Sequence, residues 1–178
     1  MAERAPLTAR ERERVRRNRA IGLSLAATIL FLDQLSKWAV TNVFQLQMRR
    51  EVELLPFFTL RWVENRGVSM GLLPAGSDTT RWLLVALTAG IATFVGAWLW
   101  REKRRDDAIA LSLVLGGALG NIIDRIRLGY VVDFADLHIA GVSPFLVFNV
   151  GDAAITIGVL LLLVRALLTR ERKAPQEG

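Results

Sequence analysis

Residues 82–100, WLLVALTAGIATFVGAWLW, run for 19 positions without a charge. At about 1.5 Å of rise per residue, a helix of that length nearly crosses a hydrocarbon core of about 30 Å. Further apolar runs lie at about 20–43, 106–126 and 150–168, so the chain reads as four membrane-spanning helices. The charged 22% of the 178 residues is gathered into short blocks between those runs, the segregation of an integral membrane protein rather than of a soluble core. Basic blocks at 4–19, 101–105 and 170–173 alternate with longer, less basic segments. The positive-inside rule therefore places both termini and the 101–107 loop in the cytoplasm, and segments 44–80 and 127–148 outside.

The expected fold is all-α integral membrane, with one four-helix domain over 20–168 and cytoplasmic tails at 1–19 and 169–178. A small β-rich outer (periplasmic) segment is expected between helices one and two, at about 44–75. There, VELLPFFTLRWVEN (52–65) holds β-branched and aromatic residues broken by Pro56, the pattern of short strands joined by a turn. GLLPAGSDTTR (71–81) reads as a loop. The first apolar run follows a basic stretch as a signal peptide would, but no small-residue cleavage site follows, so it is expected to be a retained helix. With no cysteine, disulfide, thiolate and Cys-metal chemistry are excluded; the only histidine, His138, excludes an HExxH site. The net charge of +6 comes from blocks that flank apolar runs, so it reads as a topology signal and not as a nucleic-acid surface.

Against this apolar background the acids stand out, because an ionisable group at membrane depth is costly. Asp133 lies in GYVVDF (129–134) after the third run, flanked by Val131, Val132 and Phe134, where poor hydration raises a carboxyl pKa. Asp152, in FNVGDAAITIG (148–158), opens the fourth run, where helix capping alone would also explain an acid. Both fall on the outer side, and two acids meeting there could hold a water between them as an aspartic protease does. Asn121 and Asp124 share a helix face at i, i+3; Asp124 is either a rival acid or one half of an ion pair with Arg125. The NxxD spacing recurs at Asn149 and Asp152, placing an amide beside each acid. Asp136 has more polar neighbours and reads as solvated. Asp33 and Lys37 are i, i+4 on helix one and read as a neutralising pair with Lys37 snorkelling outward. Asn65 precedes a turn at Gly67 and reads equally as turn chemistry or as an amide offered to a substrate backbone. Ser36 and Lys37 are adjacent and point apart on a helix, which disfavours a Ser–Lys protease.

Five segments in order resemble one family, the lipoprotein signal peptidases (signal peptidase II): FLDQLSKW, NRGVSMG, GGALGNIIDR, GYVVDF and FNVGDAAITIG. The resemblance covers about residues 25–160. It implies an aspartic endopeptidase with Asp133 and Asp152 as the catalytic pair. Asn65, Gly67, Asn121, Asp124, Arg125 and Asn149 would then support the site or contact substrate, and Asp33 and Lys37 would stabilise its surroundings. It implies no metal or other cofactor, a membrane-lipid environment in the bacterial inner membrane, a monomer, and no nucleic-acid partner. The implied substrate is a prolipoprotein whose cysteine already carries diacylglycerol, cut just before that residue. The chain departs from the family pattern at Val68, Ser69 and Met70, where Ala-Ala-Phe is usual, and at Gly151, where Ala is usual. Other functions considered from the same residues are a GxGD-type intramembrane protease, which lacks its leading glycine here, a non-enzymatic assembly subunit, and a proton- or ion-coupled carrier using the acids as relays.

Overall fold

The structure is a computed structural model that describes residues 8–67, 78–138 and 144–171. The departures at Val68, Ser69 and Met70 lie outside the described residues. Among the described residues, four helices are long and apolar enough to cross a membrane: α1 (Ala9–Asn42), α3 (Asp78–Arg101), α4 (Arg105–Leu128) and α5 (Val150–Glu171). A single turn of helix, α2 (Leu46–Arg49), precedes the strands β1 (Glu51–Leu55) and β2 (Phe58–Asn65), and β3 (Val131–Leu137) lies between α4 and α5.

Helix α1 begins well before the apolar run. Its Arg- and Glu-rich start favours helix, and Thr8 and Glu11 close a reciprocal capping box, with Glu11 N–H donating to Thr8 Oγ1 and Thr8 N–H to Glu11 Oε2. The polar extension packs on the α3–α4 connection. Buried Asn18 donates to Lys103 O at 2.8 Å, Lys103 pairs with Glu11, and Arg19 lies over the Trp100 ring. Arg165 of α5 pairs with Asp107 at 2.8 Å at this same end, so the start of α1, the last turns of α5 and the 102–104 connection lie together. Helix α3 starts at Asp78, so 78–81 are helical rather than part of the expected loop. An acidic first turn suits the helix dipole, and Arg81 is drawn to the carbonyls that end α4, donating to Arg125 O at 2.7 Å and to Ile126 O.

Helix α4 is the interior helix. About 61% of its apolar window is buried, against about 20% for each of the others, whose Phe31, Leu87, Phe94 and Leu163 face outward. Its stripe Gly116, Gly117, Gly120 lets the neighbouring helices close in. A Cβ on Gly116 would sit 2.6 Å from Ala26 O of α1, one on Gly117 would strike the Gly151 carbonyl of α5, and one on Gly120 would strike the Asp33 carboxylate.

The strands form an antiparallel sheet ordered β1-β2-β3 at the opposite end of the bundle. The β1–β2 hairpin is the one expected from the outer segment. The third strand comes from the second outer segment, with Asn65 opposite Val131, Val63 opposite Asp133 and Phe58 opposite Leu137. Leu60, Trp62, Val132, Phe134 and Ala135 pack with Val40 and Leu46 to seat the sheet on the end of α1. Phe148 bridges to Ala135 on the far side of β3, so β3 is buried along nearly its whole length.

Substitution of Gly117 by Val should destabilise the bundle by about 1–3 kcal/mol, the usual cost of overpacking. Gly90→Ala, on α3 with nothing within 4 Å of the added carbon, should be neutral or stabilising by a few tenths of a kcal/mol. Thermal melting in detergent checks both.

Candidate active site

Four carboxylates gather where α1, α4, β3 and α5 meet, and each is satisfied differently. Asp33 is fully buried. Its Oδ2 accepts from Lys37 Nζ at 2.8 Å and its Oδ1 from the Gly151 backbone N–H at 2.9 Å. Lys37 is 4% exposed and does not snorkel outward as expected. Its ammonium is held inward by hydrogen bonds to Asp33 Oδ2 and, at 3.1 Å, to Asn121 Oδ1, and by an ion pair with Asp124 Oδ2 at 2.7 Å. Two carboxylates and an amide replace its water better than the interface would. Asp124 also accepts from Gln34 Nε2 at 3.0 Å and from the Val132 N–H at 3.3 Å. Of the two readings of Asp124, the ion pair with Arg125 is not formed among the described residues, because successive helical residues point about 100° apart. Gln34 is not among the candidate site residues read from the sequence, although it stands in the FLDQLSKW segment that carries the resemblance.

Asp133 and Asp152 are served by neutral amides. Asn65 Nδ2 donates to Asp133 Oδ2 at 2.9 Å, and Asn149 Nδ2 to Asp133 Oδ1 at 2.6 Å. Asp152 Oδ1 accepts from Asn121 Nδ2 at 2.8 Å and Oδ2 from the Asn149 N–H at 3.3 Å. The Asp152 N–H in turn donates to Asn149 Oδ1 at 2.8 Å, so Asn149 caps α5 while touching both acids. The amides cross over: Asn121, next to Asp124 in sequence, serves Asp152, and Asn149, next to Asp152, serves Asp133. Asn65 is oriented by a turn in which the Gly67 N–H donates to its Oδ1 at 2.9 Å, and Gly67 takes the positive φ of 80° that this turn needs. Arg125 lies partly buried beside the acids, with Asp152 the strongest of the carboxylate charges acting on it.

Asp133 is 2% exposed. Burial and the nearby Asp152 charge push its carboxyl from 3.8 up to about 7, against the amide donors of Asn65 and Asn149, which favour the charged form. Asp152 is less buried and borders an apolar cleft of about 410 Å³ walled by Leu137, Phe145, Leu146, Phe148 and Ile157. Asp136 is 1% exposed, not solvated as its polar neighbours suggested, because β2 and the Phe148 bridge cover β3 on both sides. It pairs with Arg61 at 3.1 Å and lies 3.7 Å from His138 Nε2. Three positions from Asp133 along a strand, it points to the other face, away from the pair.

The pattern of a known family, described as Signal peptidase (SPase) II, matches residues 25–168. The chain is 62% identical over 161 residues to a lipoprotein signal peptidase of Rhizorhabdus wittichii, covering 90% of this chain and 94% of that one. It is 55% identical over 151 residues to a lipoprotein signal peptidase of Sphingopyxis alaskensis, covering 85% and 87%. Two solved structures, each described as a bacterial membrane enzyme, are similar in fold. One has a TM-score of 0.72 and 28% identity over 83% of this chain and 93% of that one. The other has a TM-score of 0.70 and 27% identity over 89% and 94%.

The raised carboxyl at Asp133 predicts a pH-dependent stability. From about pH 4 to about pH 7 the folded protein keeps a proton there that the unfolded chain releases, so stability falls as pH rises through that window. Asp133→Asn cannot titrate and should flatten this part of the curve. Melting temperatures of both proteins across the window check it, and parallel curves would refute the shift.

Proposed function

This chain belongs to the signal peptidase II family, and on that premise we propose that Asp133 and Asp152 are its catalytic acids. It is an intramembrane aspartic endopeptidase that removes the signal peptides of lipoprotein precursors. It is a multi-pass protein of the bacterial inner membrane, with its site on the outer, periplasmic side. Family membership sets aside the carrier and the other functions considered from the sequence.

The observation that carries the assignment is the division between the four carboxylates. Asp33 and Asp124 share an ammonium ion, whereas Asp133 and Asp152 converge on Asn149 and, among the described residues, accept hydrogen bonds from uncharged donors only. A cation in direct contact ties a carboxylate into an ion pair, while amides orient it without adding a charge. Asp124, the rival acid, has its oxygens engaged by Lys37, Gln34 and the β3 backbone.

Two close acids do not both ionise, so one holds a proton. The position of Asp133 near 7 supports it as that partner at neutral pH. Asp152 then takes a proton from water as the water attacks the scissile carbonyl, and Asp133 donates a hydrogen bond to the carbonyl oxygen as negative charge develops there. The tetrahedral intermediate collapses with protonation of the leaving amine. The substrate is a precursor with a diacylglyceryl-modified cysteine, cut before that residue. The apolar cleft beside Asp152 suits its lipid or its signal-peptide side chains, and the sheet holds the peptide at the surface. Arg125, Asn65 and Gly67 line the approach and contact substrate. Residues 20–168 form the single membrane domain, with 1–19 and 169–178 in the cytoplasm, and the protein acts as a monomer.

Asp133→Asn and Asp152→Asn should each lower cleavage of a diacylglyceryl-modified precursor in detergent by about 10²–10⁴-fold, the usual contribution of a general acid or base. Asp124→Asn should keep measurable activity. Normal cleavage by Asp133→Asn would shift the assignment to Asp124.

A further inference from the structure

An asparagine side chain offers a donor on one side and an acceptor on the other, and only its donor side serves a carboxylate. Three asparagines turn that side towards the acids, and each has its carbonyl oxygen held by a group that can only donate. Asn65 Oδ1 accepts from the Gly67 N–H at 2.9 Å, and Asn149 Oδ1 from the Asp152 N–H at 2.8 Å. Asn121 Oδ1 accepts from Lys37 Nζ at 3.1 Å. The first two clamps are backbone amides, which no substitution short of proline removes. The third is a side chain from another helix.

We propose that Lys37 is a positioning residue for proteolysis: its ammonium clamps the Asn121 amide so that Nδ2 faces Asp152. The proposal rests on Asp133 and Asp152 being the catalytic pair. Lys37 Nζ donates to Asp33 Oδ2 and to Asn121 Oδ1 and forms an ion pair with Asp124 at 2.7 Å, so the two carboxylates hold the ammonium in place while one of its protons reaches Asn121. The same Asn121 oxygen also faces Asn149 Nδ2 at 3.3 Å, a looser hold because that group makes its shorter bond, 2.6 Å, to Asp133. Without the lysine, Asn121 is free to turn over. Its oxygen would then meet Asp152 Oδ1, acceptor against acceptor, an arrangement that is relieved when Asp152 takes a proton. The clamp therefore keeps Asp152 ready to act as a base. The other charges around it are Asp133 on β3, Asp124 and Arg125 on α4, and Asp33 on α1 below Gly151.

The test uses full-length protein in detergent and a diacylglyceryl-modified precursor peptide. Lys37→Met should lower kcat by about 10²-fold, change KM by less than about twofold, and move the acidic limb of the kcat profile up by about one pH unit. In an Asn121→Ala background the same substitution should change neither kcat nor the limb, because the group it acts through is gone. If Lys37→Met fails to fold, Lys37→Met/Asp124→Asn is assayed instead, since it removes a cation and an anion together and leaves the net buried charge unchanged. Asn121→Asp gives an independent check. It keeps an acceptor for the ammonium but turns an oxygen to Asp152, and it should lose a similar factor in kcat. A folded Lys37 variant with an unmoved pH profile, an undiminished effect in the Asn121→Ala background, or normal cleavage by Asn121→Asp overturns the proposal. Normal cleavage by Asp133→Asn or Asp152→Asn instead overturns the catalytic pair.

Discussion

A carboxylate can leave water only where something replaces the water, and the packing of this bundle depends on that replacement. Asp33, with no exposed surface, shows how closely packing and charge are linked. Its carboxylate lies against α4 because Gly120 has no side chain, and it receives the N–H of Gly151 because the start of α5 can come equally close. Lys37, one turn further along α1, then neutralises Asp33 and Asp124 together. The contact among α1, α4 and the first turn of α5 is thus an electrostatic joint within the bundle.

The joint separates two kinds of acid. Charged partners hold Asp33 and Asp124, which makes them parts of the scaffold. Asparagine amides hold Asp133 and Asp152, which fixes their geometry without committing their protons. Gly151, where the family pattern usually has alanine, is the place where the first turn of α5 meets Asp33. A Cβ there would lie 3.0–3.1 Å from Gly117 O, Asn149 Oδ1 and Asp33 Oδ1, closer than most side chains tolerate. The departure from alanine is therefore matched by its surroundings.

Much of this was legible in the chain. The 19 charge-free residues at 82–100, the spacing of the other runs and the alternation of basic blocks gave helices, order and orientation. The strand-turn pattern about Pro56 gave the hairpin, and recurrent NxxD spacing marked the right region for the site. The misreadings share a cause: each depended on partners distant in sequence. Lys37 was expected to snorkel because Asn121 and Asp124 lie 84 residues or more away. Asp136 was expected to be solvated because its cover, β2 and Phe148, comes from other segments.

What the sequence by itself determined is whatever follows from local periodicity and from the cost of placing charge in lipid: four spans, their orientation, a small outer sheet, and a short list of acids that needed a reason to be there. Tertiary structure alone decided how those acids are divided. Which carboxylate meets an ammonium and which meets an amide depends on how closely α4 lets α1 and α5 approach, and on β3 pairing with a strand from the other outer segment. Hydrogen bonds act over about 3 Å, so the choice between a structural acid and a reactive one is made by contacts between residues that the chain keeps far apart.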